Sequence, residues 1–305
     1  MMPDPQVANP PTAPVKAVTL RCRGRAMDLS RPRLMAIVNI NDDSFSGDGS
    51  LDLEQVWGRA MQQVEEGADF IDIGAESART NRAAIPWREE ADRLLPFVRR
   101  WNAWIDHQPP PHRPLLSINT WRPEVVAAVL PVGGDLVNDM GGLVQPDNAA
   151  HCARHDAGLL IMHSVGEPKQ PHLDTTYPDL MAELDRFFRQ RIEVATRAGL
   201  TPEHLLLDPG IDFAKQRGDN LLLLSQLGRL RSLGRPILLP VSRKTVIGEV
   251  LGLDDPRQRD AGTLACLVAG LLGGASVFRV HHVRAAADAI KVVTPLLAQG
   301  PTLVR

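Results

Sequence analysis

The chain has 305 residues, a formal net charge of -2 at pH 7 and an apolar content of 44%. This near-neutral charge gives no reason to expect nucleic acid as a partner. No apolar run approaches the length that a membrane-spanning helix needs, so the composition is that of a globular protein.

The beginning of the chain differs in composition from the rest. Residues 1–15 are rich in proline and lack the basic-then-apolar pattern of an export signal. We expect residues 1–20 to form a disordered tail, followed by one domain over residues 21–305.

Eight short apolar runs, each bounded by turn residues, predict buried strands. The segments between them carry helical periodicity, so strand and helix alternate along the chain, which predicts an α/β protein with a parallel sheet. Eight such units favour a closed (β/α)8 TIM barrel in a single domain. A doubly wound open sheet is the alternative, because periodicity does not report closure. The runs end near Ile40, Gly74, Ile118, Val137, Met162, Leu207, Val241 and Val280.

The segments between the strands divide into helices and loops. Apolar residues recur at helical spacing over residues 53–64, 91–98 and 180–192, which predicts three amphipathic helices. Two connections that follow strands are long, at Asn41–Ser50 and Ala75–Pro86. Such loops are candidates for mobile lids over a site, and the alternative is that they are ordinary surface loops.

Polar side chains lie at the end of every strand-like run. The carboxyl ends of barrel strands open on one face, so these side chains would converge on one mouth. Singly, each has an ordinary explanation such as helix capping or a solvated surface. Such a group at all eight ends is harder to explain in that way. The residues are Asn39, Asp72 with Glu76 and Arg79, Asn119, Asn138 with Asp139, His163, Asp208, Ser242-Arg243-Lys244 and Arg279-Val280-His281.

These residue types suit a ligand with a polar heterocycle at one end and an anionic group at the other. Asp208 can accept two parallel hydrogen bonds from an N–H and an exocyclic amine, and Asn138 can match a mixed donor and acceptor edge. Asn39 offers a neutral oxygen to Mg²⁺, which commonly bridges few protein ligands and several phosphate oxygens. Donors suited to phosphate oxygens are Ser242, Arg243, Arg279 and His281.

The three cysteines are far apart in sequence and have no neighbouring Cys or His at metal-ligand spacing. We therefore expect unpaired thiols in a reducing cytoplasm. The residues are Cys22, Cys152 and Cys266.

With these residues in place, the chain resembles dihydropteroate synthase, the folate-pathway enzyme. The matching segments come in the family's order and span about residues 34–295. They are LMAIVNINDDSFSGDG (34–49), DIGAESAR (72–79), LLSINTW (115–121), LVNDMGG (136–142), LIMHSVG (160–166), DPGIDFAK (208–215), VSRKTVIG (241–248) and RVHHV (279–283).

The resemblance implies a TIM barrel that joins 7,8-dihydropterin-6-ylmethyl diphosphate to p-aminobenzoate and releases diphosphate, a step of folate biosynthesis. In that family the diphosphate leaves first, assisted by Mg²⁺, and the arylamine attacks the cationic pterin methylene that remains. The resemblance also implies a homodimer that acts on small-molecule substrates. Charge and composition had already given no reason to expect a nucleic acid or membrane partner.

Carried over position by position, the resemblance assigns residues to three parts of one site. The pterin would be held by Asn119, Asn138, Asp208 and Lys244, with Asn119, Asp208 and Lys244 as the catalytic candidates. The diphosphate would be held by Asn39, Arg279 and His281, with Asn39 also a ligand of Mg²⁺. The p-aminobenzoate would lie near Arg79, Phe213, Lys215 and Ser242.

The chain departs from the family pattern at several of these segments. Asn119 stands where the family usually has Asp, and Asp212 and Ala214 stand where it has glycines on either side of Phe213. Two interpretations follow: a divergent dihydropteroate synthase, or a pterin-binding paralogue that uses another amine acceptor or has lost synthase activity. A pterin-binding methyltransfer domain is a third, but it would leave the Ser-Arg-Lys and Arg-Val-His segments without a role.

Overall fold

A computed structural model describes residues 18–41, 49–77, 83–109, 113–170 and 175–298. Most of the expected N-terminal tail, and much of the two long connections expected as lids, therefore lie outside the described residues. The last two residues of the expected tail, Thr19 and Leu20, belong to a strand, so regular structure begins just ahead of residue 21.

In the described part of the chain, eight parallel strands form the barrel that the alternation predicts. The strands are β3 (Arg33–Asn39), β4 (Phe70–Gly74), β5 (Leu115–Asn119), β6 (Leu136–Asp139), β7 (Gly158–Met162), β8 (Leu205–Asp208), β9 (Leu238–Leu239) and β10 (Val277–Val280). Their order in the sheet is β8-β7-β6-β5-β4-β3-β10-β9. Leu207 of β8 bridges Ile237, next to β9, and its N–H donates to the Pro236 carbonyl at 3.1 Å, which closes the ring. The open doubly wound sheet is thereby rejected.

Helices cover the outside of the barrel and include the three that the periodicity predicts. Their apolar stripes pack on the outward faces of the strands, where they form the larger of two buried clusters. No helix in the described residues is long and apolar enough to cross a membrane. The helices are α1 (Leu53–Glu65), α2 (Trp87–Ile105), α3 (Pro123–Val129), α4 (Asp147–Arg154), α5 (Leu180–Arg197), α6 (Arg217–Ser225), α7 (Thr245–Leu251), α8 (Asp260–Gly273) and α9 (Val283–Ala298).

A two-stranded hairpin precedes the barrel and was not predicted from the sequence. Its strands are β1 (Thr19–Cys22) and β2 (Arg25–Asp28), paired antiparallel. Arg23 and Gly24 both have positive φ, as a tight two-residue hairpin turn requires. The buried side chains of the hairpin pack against the apolar interior of the barrel, so the hairpin plugs the barrel.

The barrel interior changes character along its axis, and this change creates the site. Because side chains alternate across a strand, residues two apart point to the same side. An interior layer of apolar side chains is followed, two residues later on five strands, by polar ones. The apolar layer contains Met35, Phe70, Leu115, Leu136, Leu160, Leu206, Leu238 and Val277. The polar positions two residues on from members of this layer are Asp72, Ser117, Asn138, Asp208 and Arg279.

Candidate active site

A buried carboxylate, Asp72 of β4, organises one half of the polar layer. It accepts hydrogen bonds from Ser117 Oγ at 2.5 Å, from Asn119 Nδ2 at 3.3 Å and from Asn138 Nδ2 at 3.2 Å to each oxygen. Arg279 Nε donates to it from β10 at 2.7 Å. The strand register explains these contacts, since Asp72 pairs with Ser117 across β4 and β5, and Asn119 pairs with Asn138 across β5 and β6.

The other acid of the layer, Asp208, ends β8 and faces the same interior. Its Oδ1 accepts the Gly210 N–H at 2.7 Å. Gly210 has a φ of +72°, and a Cβ there would lie 2.0 Å from the His163 carbonyl oxygen, so only glycine fits. Burial raises the pKa of Asp208 to about 6, while Lys244, Arg279 and Lys215 oppose the shift.

Lys215 forms a buried pair with His163 beside this acid. Its Nζ lies 2.8 Å from His163 Nδ1 and donates to the Phe213 carbonyl at 3.0 Å. Burial lowers the pKa of Lys215 to about 7, with Asp208 opposing and Lys244 reinforcing the shift. Burial, reinforced by Lys215, lowers the pKa of His163 to about 3, so the imidazole is neutral.

Lys244 lies between the residues expected at the pterin and those expected at the arylamine. Its Nζ donates to the Ile211 carbonyl at 2.9 Å and stands 4.6 Å from the centre of the Phe213 ring. Desolvation lowers the pKa of this ammonium group, while Asp212 and Asp208 oppose the shift. The two expected subsites are therefore adjacent.

The two residues that replace family glycines both have left-handed backbones, with φ of +66° for Asp212 and +50° for Ala214. This conformation explains why glycine suits these positions. The Asp212 carboxylate accepts the Thr245 N–H at 2.5 Å and the Val246 N–H at 3.2 Å, at the start of α7. Asn220 Nδ2 also donates to it, at 3.3 Å. Asp212 thus ties the loop after β8 to the helix after β9.

Ser242 contacts His281, one of the residues expected to bind the diphosphate. Its Oγ accepts the backbone N–H of His281 at 3.1 Å and lies 2.8 Å from His281 Nδ1. Because the hydroxyl accepts from the backbone, its proton can be donated to Nδ1 of the neutral ring. That hydrogen bond leaves the proton of the imidazole on Nε2. The contact places Ser242 beside His281.

Three predicted residues remain, and the structure describes two of them, Asn39 and Arg243. Asn39 ends β3, half-buried and opposite Gly74 of β4. Arg79 lies outside the described residues. Arg243 forms a bidentate ion pair with Asp260 of α8, with N–O distances of 2.8 and 3.0 Å. Its Nε and one of its terminal nitrogens therefore already donate to a residue of the protein.

An ionic cluster anchors the second long loop and was not predicted. The Arg122 guanidinium contacts both Glu76 and the fully buried Glu90. Lys169 Nζ lies 3.1 Å from Glu76 and donates to the Ser77 carbonyl at 3.1 Å. The start of the loop after β4 is therefore fastened to the loop after β7.

Comparison with known proteins gives a consistent family. A family model described as "Pterin binding enzyme" matches residues 35–281. The dihydropteroate synthase of Synechocystis is 37% identical over 268 residues, covering 87% of this chain and 90% of that one. The dihydropteroate synthase of Escherichia coli is 34% identical over 284 residues, covering 92% and 96%.

Solved structures agree with this family. The Yersinia pestis dihydropteroate synthase in complex with a sulfonamide drug superposes with a TM-score of 0.84 at 33% identity, covering 92% of this chain and all of that one. The Xanthomonas albilineans enzyme in complex with 7,8-dihydropteroate gives a TM-score of 0.78 at 36% identity, covering 93% of this chain and 100% of that one.

Proposed function

Because this chain belongs to the dihydropteroate synthase family of pterin-binding enzymes, we propose that it condenses 7,8-dihydropterin-6-ylmethyl diphosphate with p-aminobenzoate and releases diphosphate. One observation carries this proposal. The acid Asp208 and the cation Arg279 point into the same polar layer of the barrel. Arg279 lies close enough to Asp208 to oppose the rise in the pKa of that acid. A single small molecule with a heterocycle at one end and an anionic group at the other can therefore contact both.

The pterin would lie among the amides and the acid of the polar layer. Asp208 offers carboxylate oxygens to an N–H and an exocyclic amine of the heterocycle. Asn119 and Asn138 offer carbonyl oxygens, because their amide nitrogens already face Asp72. Lys244 supplies an ammonium donor beside them.

The diphosphate would lie toward Arg279 and His281. Arg279 uses Nε for Asp72, so its two terminal nitrogens remain as donors for phosphate oxygens. His281 presents an Nε2–H when Ser242 donates to Nδ1. These donors neutralise charge that develops on the departing diphosphate, and fixed donors of this kind lower the barrier because they need no reorganisation.

The residues present fit a magnesium ion held chiefly by the substrate. Within the described residues there is no cluster of three His, Cys, Asp or Glu side chains that forms a dedicated metal cage. Asn39 at the end of β3 is the protein oxygen we propose as a ligand, and Mg²⁺ is often bound by one or two protein groups plus phosphates. When bound, the ion would offset negative charge on the leaving diphosphate.

The p-aminobenzoate would lie near Phe213 and Lys215, next to Lys244. Arg79 belongs to this proposal through the resemblance alone. Ser242 belongs to this part through the resemblance, and its hydroxyl also contacts His281 of the proposed diphosphate part.

The proposal is tested by incubating purified protein with Mg²⁺, the dihydropterin diphosphate and p-aminobenzoate. We expect both dihydropteroate, measured by chromatography, and diphosphate, measured by a coupled assay. The absence of dihydropteroate, under conditions in which the Escherichia coli enzyme turns over, would reject the proposed function.

A second candidate function is supported by the changes around Phe213. Asp212 and Ala214 alter the expected arylamine part, whereas Asp208, Asn138 and Arg279 keep the pterin and diphosphate parts. A paralogue that uses another amine would release diphosphate with that amine and form no dihydropteroate with p-aminobenzoate. A panel of arylamines in the same assay separates the two functions.

We also propose that the protein is a cytoplasmic homodimer. Its cysteines are free thiols, which supports a reducing compartment. Exposed apolar side chains on α8 and α9, among them Leu272, Val292 and Leu296, support an interface there. Light scattering after size-exclusion chromatography measures the mass, and a monomer at micromolar concentration would contradict the proposal.

A further inference from the structure

We infer that Asp72 is a positioning residue for this reaction, which fixes Asn119, Asn138 and Arg279 in the orientations that recognise the pterin diphosphate. The inference rests on the proposed function for the identity of the ligand. Asp72 lies near the end of β4, and neither the residue pattern nor the family resemblance assigns it a role.

The hydrogen bonds of Asp72 leave it no capacity for a substrate. Its Oδ1 accepts from Ser117 and Asn138, and its Oδ2 accepts from Asn119, Asn138 and Arg279. A carboxylate has about four lone-pair sites, so these contacts fill them. The side chain of Asp72 is also 0% exposed. Asp72 therefore acts through its neighbours.

The carboxylate decides which way each amide faces. An ionised carboxylate only accepts hydrogen bonds, so Asn119 and Asn138 must turn their NH₂ groups toward it. Their Oδ1 atoms then face away from Asp72. Asn119 Oδ1 is buried and has no hydrogen-bond partner among the described residues. A buried acceptor without a partner is unfavourable, so this oxygen is suited to an N–H group of a bound ligand.

The same carboxylate orients the cation of the diphosphate part. Arg279 gives Nε to Asp72, and its side chain is 20% exposed. The guanidinium is planar, so fixing Nε also fixes the directions of the two terminal NH₂ groups. Asp72 thus couples the pterin part of the site to the diphosphate part through one buried charge.

The first variant to test is Asp72→Asn, which keeps the shape and removes the charge. The new NH₂ group donates hydrogen bonds and cannot accept them from the donors that face it. The side chains of Asn119 and Asn138 are then no longer held with their oxygen atoms toward the ligand. We expect the KM for the pterin diphosphate to rise by at least about tenfold and kcat to fall, with little change in the KM for p-aminobenzoate. An unchanged KM for the pterin diphosphate would overturn the inference.

The second variant is the transposition Asp72→Asn with Asn119→Asp. The double variant again has one carboxylate and one amide at these two positions, with the carboxylate now on β5. One of its oxygens can accept from the amide introduced on β4, and the other faces the ligand. We expect it to recover pterin affinity, measured by calorimetry, by about tenfold over Asp72→Asn alone. A residue that served only to stabilise the fold would give a double variant no better than the single one, and that result would also overturn the inference.

The matched control is Asp139→Asn, which alters a buried carboxylate two strands away, on β6. Asp139 accepts from Asn148 Nδ2 at 2.9 Å and from the Gly141 N–H at 2.9 Å, both outside the contacts of Asp72. We expect this variant to lower stability and to keep the affinity for the pterin diphosphate.

A measurement without substrate separates the failure of the inference from the failure of the proposed function. In the ligand-free protein, the side-chain NH₂ groups of Asn119 and Asn138 should exchange slowly with solvent by NMR, and faster in Asp72→Asn. Equal exchange in both proteins would overturn the inference whatever the ligand. A wild-type protein that binds no pterin but shows the difference in exchange would reject only the proposed function.

Discussion

The ammonium group of Lys215 lies 2.8 Å from Nδ1 of His163 in the barrel interior. No carboxylate oxygen in the described residues lies within ion-pair distance of this ammonium group, although Asp208, Asp212 and Asp219 are near enough to favour its charge. Lys244 and burial disfavour the charge, and burial dominates, so the folded-state pKa falls to about 7 from 10.5. The neutral imidazole of His163 can accept the hydrogen bond in either charge state of the lysine.

This pair predicts a stability that rises with pH. Between about pH 7 and about pH 10 the unfolded chain binds a proton at Lys215 that the folded protein has lost, so the free energy of unfolding increases across that window. Lys215→Met should remove this part of the rise in urea unfolding, and the exposed Lys291→Met should retain it. A Lys215→Met protein with the wild-type slope would contradict the lowered pKa.

Asn119→Asp is expected to raise turnover. The substitution restores a carboxylate that faces the developing pterin cation, and one such aimed group is worth about tenfold or more in rate. It also brings a second carboxylate to Asp72, whose Oδ2 lies 3.3 Å from Asn119 Nδ2. Like charges at that distance raise the pKa of one of the two acids, so the gain in kcat should grow with increasing pH.

The control for that variant is Asn138→Asp, since Asn138 also donates to Asp72 but on the next strand. We expect it to lower pterin affinity without raising kcat. A kcat for Asn119→Asp at or below the wild-type value at every pH would show that the missing charge does not limit the rate.

Local patterns in the sequence were sufficient to predict the strands, whereas contacts between residues far apart in the sequence were not predictable. The eight strand ends were predictable because short apolar runs followed by polar residues are a local pattern, and Asp208 and Arg279 lie where that pattern placed them. The β1–β2 hairpin was missed because its strands have four residues each and mix charged with apolar side chains. Hairpins of that length depend on packing against the barrel, which no local pattern reports.

The partners of the site residues could not be predicted in the same way. Asp72 and Arg279 are 207 positions apart in sequence, and their contact depends on β3 lying between β4 and β10 in the ring. One signal was available: the step from an apolar residue to a polar one two positions later, as from Phe70 to Asp72. It recurs on five strands, and in a barrel it marks the depth at which the interior becomes polar.

Ser242→Ala tests which part of the site Ser242 serves. The structure joins its hydroxyl to His281 Nδ1, so the variant should free the imidazole to change tautomer and orientation. We expect the KM for the pterin diphosphate to rise by about three- to tenfold with an unchanged KM for p-aminobenzoate. Ser232→Ala, an exposed serine that donates to the Arg229 carbonyl, is the control. A rise confined to the KM for p-aminobenzoate would instead place Ser242 at the arylamine, as the family resemblance implied.

Asp212→Asn tests whether the altered loop sets the choice of acceptor. Asp212 precedes Phe213 in the sequence, and its carboxylate lies close enough to Lys215 and Lys244 to influence their charge. Its negative charge should therefore repel an anionic arylamine in the part of the site proposed for it. Asn keeps an oxygen for the Thr245 N–H and removes the charge, so the KM for p-aminobenzoate should fall by about two- to fivefold. An uncharged aniline should show no such change, and Asp255→Asn, which removes a carboxylate that accepts the Arg257 N–H, should leave both values unaltered. If the KM for p-aminobenzoate stays the same, the charge of Asp212 does not select the acceptor, and its two hydrogen bonds to the start of α7 are its role.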